Sequence, residues 1–383
     1  MAEIKNLKKA AKRIVKAVKN KERIIVFGDA DLDGVSAVII LKESIKNLGG
    51  GSLIVYFPDR EKEGYGINEK ALENLKQHAP ALFVSLDCGI GNLKEVKLAK
   101  KIGLEVVIID HHEVLDGLPE ASIIVDPKQK GDKYPFKQFS ATGLVFKLAE
   151  ALLGEKLAEN IRKNFLELVA LATIADMMPK TDDNAVMIAE GLNYVKSSWR
   201  PGLQALFDLA PFKNLEFMEQ VYKINSLLNI RDIEEGMPAA YRLLTSSDVV
   251  EAKSLAERLL EKNIKKREII NEMLEGLDKK VSFSQRGPII FEGDASWEVV
   301  LLGIVASLAV KKYQKPAFLY KKGEKESQGG IRAPSGFNVV EAMKTCPKLL
   351  ETYGGHPQAA GFRVKNENLE EFKNCLIDYY SKK

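Results

Sequence analysis

Cysteine is scarce in this chain of 383 residues, with Cys88, Cys346 and Cys375 the whole complement. The number is odd and the spacing unpaired, so the expectation is neither a disulfide framework nor a thiolate zinc site; the three thiols read as buried or incidental. Net charge is thin as well. With 57 Lys and Arg against 53 Asp and Glu the chain carries +4, a balance that permits a polyanionic partner without demanding one. No apolar run approaches the length of a membrane span, and Met1 to Lys21 is lysine-rich without the apolar core of a secretory signal. Both absences lead to the expectation of a cytoplasmic protein with no membrane partner. Repeats and low-complexity tracts are missing too. A composition of 45% hydrophobic and 29% charged residues is that of a globular chain long enough for two domains, each with its own core.

Hydrophobic periodicity divides the chain. Ile4, Leu7, Ala11, Ile14 and Val18 recur at helical spacing with lysines between them, which predicts a basic amphipathic helix whose polar face is either solvated or in contact with phosphates. Strand and helix then alternate. Strands are expected at 23–27, 53–57, 82–86, 104–109 and 122–125, with helices at 35–47, 68–77 and 93–102. This is the pattern of a doubly wound parallel sheet. Helices follow at 141–153, 157–176 and 185–197, and a helical period sustained from Val249 to Leu277 predicts a long helix joining two bodies. From Gly287 short strands return, at 288–291, 316–320, 329–332 and 359–364, with Gly354-Gly355-His356 read as a glycine-rich turn before the last. The fold class expected is α/β: a parallel-sheet domain over 1–195, a helical connector over 196–280 and a smaller α/β domain over 281–383, with the active site in the cleft between the domains.

Acids recur where the strands stop. The run Leu104 to Ile109 empties into Asp110-His111-His112, the run Ile24 to Phe27 into Gly28-Asp29-Ala30-Asp31-Leu32-Asp33-Gly34, and the run Leu82 to Leu86 into Asp87. Asp176 follows an apolar helical segment. The carboxyl edge of an open α/β sheet is where chemistry is placed. So many carboxylates in one place resist ionising unless cations neutralise them. Oxygen donors with one or two imidazoles suit Mn²⁺ or Mg²⁺, and two such ions about 3.5–4 Å apart, bridged by Asp87, would serve phosphoryl transfer. A single-metal site or a structural carboxylate cluster is the plainer alternative. Gly34 is expected to let the loop turn tightly and leave amides facing an anion at the start of the next helix.

These segments, in this order, resemble the DHH phosphoesterase superfamily and its RecJ-like branch. Gly28 to Gly34 is similar to the first motif, Asp87-Cys88-Gly89 to the second, Asp110-His111-His112 to the third and Ala175-Asp176 to the fourth. Pro58-Asp59-Arg60, Gly64-Tyr65-Gly66, Thr142-Gly143-Leu144 and Arg200-Pro201-Gly202-Leu203 resemble the RecJ-type middle section, and Trp297, Gly303 to Ser307 and Gly354 to Phe362 the DHH-associated carboxyl-terminal domain. The chain departs from the pattern at Phe27, where some branches carry a metal-binding His, and at Ser226 to Asn229, where small residues, a Gly and an Arg are expected.

The resemblance implies a phosphodiesterase with two Mn²⁺ ions, Mg²⁺ being the alternative. One ion would be held by Asp31 and Asp87, the other by Asp33, Asp87, His111 and Asp176, with Asp29 close by. His112 would meet the substrate phosphate and protonate the leaving oxygen, oriented by Asp110. Arg332, His356 and the amides of Gly354 and Gly355 would grip the terminal nucleotide. The activity implied is 5′-to-3′ exonuclease action on single-stranded DNA, RNA or both. Hydrolysis of short oligonucleotides or cyclic dinucleotides is the alternative, and a scaffold for replication or repair proteins is the non-enzymatic one. Retention of Asp31, Asp33, Asp87, His111 and Asp176 argues against the last.

Overall fold

The computed structural model describes residues 3–51, 53–60, 62–115, 117–283 and 287–381. They form two units, Met1–Asn263 and Ile264–Lys383. The first is built on five strands, β1 (Ile24–Gly28), β2 (Leu53–Tyr56), β3 (Ala81–Leu86), β4 (Leu104–Ile109) and β5 (Ile123–Val125), in the order β2-β1-β3-β4-β5. All four pairings are parallel. β1, β3 and β5 are buried throughout and β4 nearly so, which is why they read as continuous apolar runs rather than alternating ones.

Successive side chains leave the sheet on opposite faces. Ile24, Val26, Leu82, Val84, Val107 and Ile109 join the core beneath α1 (Leu7–Lys19), α2 (Leu32–Asn47), α5 (Ala141–Leu153) and α6 (Glu159–Ala175). Ile25, Phe27, Phe83, Val106 and Ile108 join the core beneath α3 (Glu69–Leu75) and α4 (Leu93–Lys101). Phe27 is wholly buried, stacked on Tyr56 and tilted against Phe83 at centroid distances of 5.7 and 5.3 Å. Its departure from the family pattern is therefore a core ring, and it puts no donor at the sheet edge.

The unit is completed by α7 (Asp182–Val195), α8 (Pro201–Phe207), α9 (Phe217–Leu228), a two-stranded ribbon of β6 (Ile233–Glu234) and β7 (Met237–Pro238), and α10 (Ala239–Thr245). α7 lies tight on α6: a Cβ added at Gly191 would sit 2.1 Å from the Leu166 carbonyl oxygen. Arg200, 1% exposed, is held by Glu167 through Nε at 2.9 Å and by Glu43 through both terminal nitrogens at 3.0 Å. The long helix is α11 (Val249–Phe283). Its first turns put Ala252, Leu255, Ala256 and Leu259 into the first unit's core, and Met273, Leu277 and Val281 belong to the second unit's.

The second unit carries β8 (Ile290–Asp294), α12 (Val299–Tyr313), β9 (Ala317–Lys322), β10 (Glu326–Arg332), α13 (Val339–Lys344), β11 (Leu350–His356), β12 (Ala359–Lys365) and α14 (Leu369–Ser381). Sheet order is β11-β12-β10-β9-β8, antiparallel except for β8 with β9. Two expectations are corrected here. Gly354-Gly355-His356 is no turn but the end of β11, in register with Gly361, Ala360 and Ala359. Gly355 has φ +138°, and a Cβ there would meet the Ala359 carbonyl oxygen at 2.5 Å, so glycine is required by close backbone approach within a strand. Second, Cys346 and Cys375 form a disulfide, Cα atoms 6.4 Å apart. The packing of α13 against α14 brings together two cysteines that sequence spacing keeps 29 residues apart. Cys88 is the buried free thiol.

Candidate active site at the carboxyl edge of the parallel sheet

The order β2-β1-β3 reverses direction at β1, so the crevice between the carboxyl ends of β1 and β3 is a topological switch point. The acids gather there. Asp31 caps α2, its carboxylate accepting the Gly34 amide at 3.1 Å. Helix α2 thus begins at Leu32, earlier than periodicity indicates, and the first turn contains Asp33 and Gly34. The Gly34 amide faces a carboxylate of the chain itself, correcting the expectation of an amide offered outward. Glycine is required because a Cβ would lie 2.4 Å from the Asp29 carbonyl oxygen.

Asp33 is 3% exposed and turns to the amino terminus of α5, one oxygen accepting the Ala141 amide at 2.7 Å and the other the Thr142 amide at 2.9 Å. The Thr142 hydroxyl donates to the Asp33 carbonyl at 2.8 Å. A carboxylate at a helix amino terminus is favoured by the helix dipole. Asp87 follows β3 in the left-handed region, φ 62°, and is 3% exposed. Held there, its carboxylate lies 3.1 Å from His111 Nε2, a conformation that costs a non-glycine residue strain. Asp33 and Asp176 carboxylate oxygens lie 3.9 and 3.7 Å from the same nitrogen.

Asp110 is fully buried and organises the triplet that it opens. One oxygen accepts the His111 amide at 2.8 Å, the His112 amide at 3.3 Å and His112 Nδ1 at 2.7 Å; the other accepts the Ile90 amide at 3.0 Å. His112 is exposed, and its Nε2 is 3.5 Å from the Tyr65 hydroxyl, which donates to the Asp87 carbonyl at 3.3 Å. Arg60 lies over the Tyr65 ring, 4.8 Å from its centroid, and reaches both Asp29, with Nε at 2.7 Å, and Asp31, with a terminal nitrogen at 3.3 Å. Beside Asp31 opens a cavity of about 460 Å³ lined by Arg60, Lys62, Asn229 and Arg231. Asn229, at the departure noted above, accepts the Leu32 amide at 3.0 Å.

The electrostatics are those of acids short of counter-charge. Burial, followed by the Asp33 and Asp31 charges, raises the Asp87 carboxyl well above its ordinary range. Asp33 is raised by burial against the pull of His111. Asp176, at the carboxyl end of α6 where the helix dipole gives it no help, is pushed up to about 7 by burial and then by Asp33 and Asp31. Burial would raise Asp110 too, but the His112 hydrogen bond and charge and the Ile90 amide together hold it below the ordinary carboxylate range. His112 is raised: loss of water on the side of the ring that faces the protein opposes its charge, and the hydrogen bond and charge of Asp110 outweigh it. His111 is lowered by burial.

These residues fit divalent cations. Asp29, Asp31 and Asp87 offer one set of donor atoms within 4.8 Å of one another, and Asp33, His111 and Asp176 another; Asp87, His111 and His112 form a third. Asp176 Oδ2 and His111 Nδ1 are buried and make no hydrogen bond among the described residues, a state that a coordinated ion would relieve for the carboxylate.

Among the expected site residues, Asp29, Asp31, Asp33, Asp87, His111, His112 and Asp176 lie at this edge of the first unit. Arg332, Gly354, Gly355 and His356 lie in the second. Arg332 and His356 both pair with Ala359, on opposite sides of β12, so the three side chains share a face of that sheet. The Arg332 guanidinium lies across Gly303 of α12, where a Cβ would approach it to 3.0 Å. Sequence reasoning left out Asp126, fully buried after β5 and pushed up to about 7 by burial. The rule that acids follow the strands points to it. Arg60, Tyr65 and Thr142 stood inside recognised motifs without a role; their partners are set by tertiary contacts.

Comparison with known proteins matches residues 23–173 to the DHH family, N-terminal domain, and residues 286–382 to the DHHA1 domain. The single-stranded-DNA-specific exonuclease RecJ of Bacillus subtilis is 36% identical over 382 residues, covering 98% of this chain and 48% of the relative. The chain thus spans about half the length of that relative. Among solved structures, exonuclease RecJ bound to manganese superposes with TM-score 0.85 at 29% identity, over 100% of this chain and 96% of the other. RecJ of Thermus thermophilus in complex with Mn²⁺ superposes with TM-score 0.79 at 27% identity, over 99% and 55%. Among the described residues no helix is long and apolar enough to cross a membrane.

Proposed function

The chain belongs to the DHH family with RecJ proteins as its relatives, and on that footing we propose that it is a divalent-metal phosphodiesterase that shortens single-stranded DNA from the 5′ end, with RNA as a further substrate. The observation that carries this reading is the meeting of Asp33, Asp87, His111 and Asp176 around one imidazole nitrogen, with Asp31 adjoining, in acids that burial leaves short of counter-charge. Two Mn²⁺ ions, which Asp31, Asp33, Asp87, His111 and Asp176 would hold, would neutralise these acids, activate water and draw charge from the phosphate, Mg²⁺ being the substitute.

The protein groups have separable tasks. Asp33 is oriented by the α5 amides, so its carboxylate cannot swing away when a substrate phosphate approaches. Asp110 occupies His112 Nδ1, which leaves Nε2 as the nitrogen that meets the substrate and favours the protonated ring. His112 then gives its proton to the leaving oxygen as the phosphodiester breaks. Arg60 binds charge on the same side as Asp31. In the second unit Arg332, His356 and the Gly354 and Gly355 backbone hold the terminal nucleotide, the arginine by a forked pair of hydrogen bonds to phosphate.

Oligomers of DNA and of RNA, labelled at either end and ranging from two nucleotides upward, test the proposal in Mn²⁺ and in Mg²⁺, with Asp87→Ala as control. Mononucleotides released first from the 5′ end of long single strands are expected. Release from the 3′ end rejects the polarity, and turnover confined to the shortest oligomers replaces the reading with that of a short-oligonucleotide or cyclic-dinucleotide hydrolase.

A further inference from the structure

We propose that the outward face of α1 is a docking track for the phosphate backbone of single-stranded nucleic acid, apart from the carboxylate site and serving the length of strand that the site is not processing. The proposal rests on the phosphodiesterase reading above for the identity of the polyanion.

Helix α1 buries Ala10, Ala11, Ile14 and Ala17, and that single small-residue stripe sends every cation outward or to the flanks. Lys8, Lys12, Lys16 and Lys19 follow one another at intervals of four, four and three residues, so they stand on one helix face. They wall a groove of about 620 Å³ whose floor is Ala11 and Val15, closed on the other side by Ala151 of α5. No acid lines it. Small apolar residues beneath and long cationic ones along the rim form a slot for a ribbon of negative charge, with the lysine stems covering its apolar side.

The charge is not a matter of average composition. The thirteen residues of α1 hold six bases and no acid, more positive charge than the +4 of the whole chain. Arg13 is spent on Glu22 and Glu105, at 2.6 Å each, and Lys8 on Glu3 at the helix start. Among the described residues Lys12, Lys16 and Lys19 make no ion pair. Like charges one turn apart on a helix repel, and a bound polyanion converts that repulsion into attraction.

The phosphodiesterase reading makes nucleic acid the polyanion, and the lysine spacing suits it. Four residues of helix advance about 6 Å, a little under twice the roughly 3.4 Å of axis that each charge of one stacked strand occupies, so along the axis a lysine recurs at about every second phosphate. The start of the track is fixed to the sheet. The Asn6 side chain donates to the Ile124 carbonyl at 2.8 Å and the Lys5 amide to Asp132 at 2.6 Å, pinning the start of α1 to β5, the neighbour of the strand that ends in Asp110-His111-His112.

The test replaces Lys8, Lys12, Lys16 and Lys19 together by Gln, and in a second variant by Arg. Binding of a single-stranded oligomer of about 30 nucleotides, read by fluorescence anisotropy in chelator, should weaken roughly tenfold or more in the Gln variant, with the slope of log K against log salt shallower by roughly 3. The Arg variant should bind like the wild type, and dinucleotide hydrolysis in Mn²⁺ should be unchanged in both. Undiminished binding by the Gln variant overturns the proposal, as does equal loss in the Arg variant, or a polyglutamate peptide that binds more tightly than the oligomer. Because binding is read without turnover, a wild type that hydrolyses nothing in Mn²⁺ refutes the phosphodiesterase reading and leaves the result for the track standing.

Discussion

His112 Nδ1 is 2.7 Å from Asp110 Oδ1, while the same oxygen also takes the amides of His111 and His112. A single buried carboxylate therefore fixes the ring, its tautomer and the turn that carries it. Asp110→Asn keeps an acceptor and removes the charge that raises His112, so hydrolysis should fall about 10- to 100-fold with manganese binding retained. A raised imidazole is fully protonated below its folded pKa and loses its proton above it, so the alkaline limb of the pH–rate profile should move to lower pH in the variant. An unshifted limb would exclude His112 as the proton donor.

Metal-free protein should become less stable as pH rises from about 4 to about 7. Asp33, Asp87 and Asp176 are raised from the ordinary 3.8, Asp176 to about 7. Across that window the folded state holds protons that the unfolded chain has released, so stability falls with pH. Thermal melts in chelator at several pH values read this, and added Mn²⁺ should raise Tm more at pH 7 than at pH 4. A melt that rises over the window, or that ignores manganese at neutrality, would count against the carboxylate cluster as a cation site.

Gly34→Ala tests the junction of β1 and α2. The added methyl lies 2.4 Å from a backbone carbonyl oxygen, which cannot rotate aside as a side chain would. A destabilisation of about 1–3 kcal/mol is expected, together with weaker manganese binding as Asp29 and Asp31 are displaced. Denaturant titration and metal titration of the same sample separate the two effects.

Arg200→Met should destabilise the protein by about 3–5 kcal/mol, because it leaves Glu167 uncompensated in the interior. Burial already pushes Glu167 up to about 7 against the pull of Arg200. Adding Glu167→Gln to Arg200→Met should recover part of the loss, since no buried charge then remains at that carboxyl. Urea unfolding of the single and double variants checks it.

Legibility from sequence followed burial. β4 at 104–109 and α5 at 141–153 have the limits that their apolar runs indicate, because both are enclosed on nearly every side and β4 stops at Asp110 and α5 at Gly154. α12 went unread as a helix for the opposite reason: Val299 to Val310 is apolar on almost every face, so no helical period stands out. The candidate acids were legible as a pattern, strand after strand ending in Asp. Their partners were not. That Arg60 meets Asp29, or that Asp33 spans the Ala141 and Thr142 amides across more than a hundred positions, depends on how helices settle on the sheet, and no local propensity records it.

The grip of α5 on Asp33 has a consequence for how the protein is made. A zinc finger gathers its ligands within one short segment, and the metal can direct its folding. Here the candidate donors run from residue 29 to residue 176, and one of them is aimed by a helix that starts at residue 141. A nascent chain shorter than that offers a cation scattered acids and no cage. On the proposed reading, ion capture follows closure of the first unit, and the metal is a late arrival on a finished scaffold rather than the builder of it.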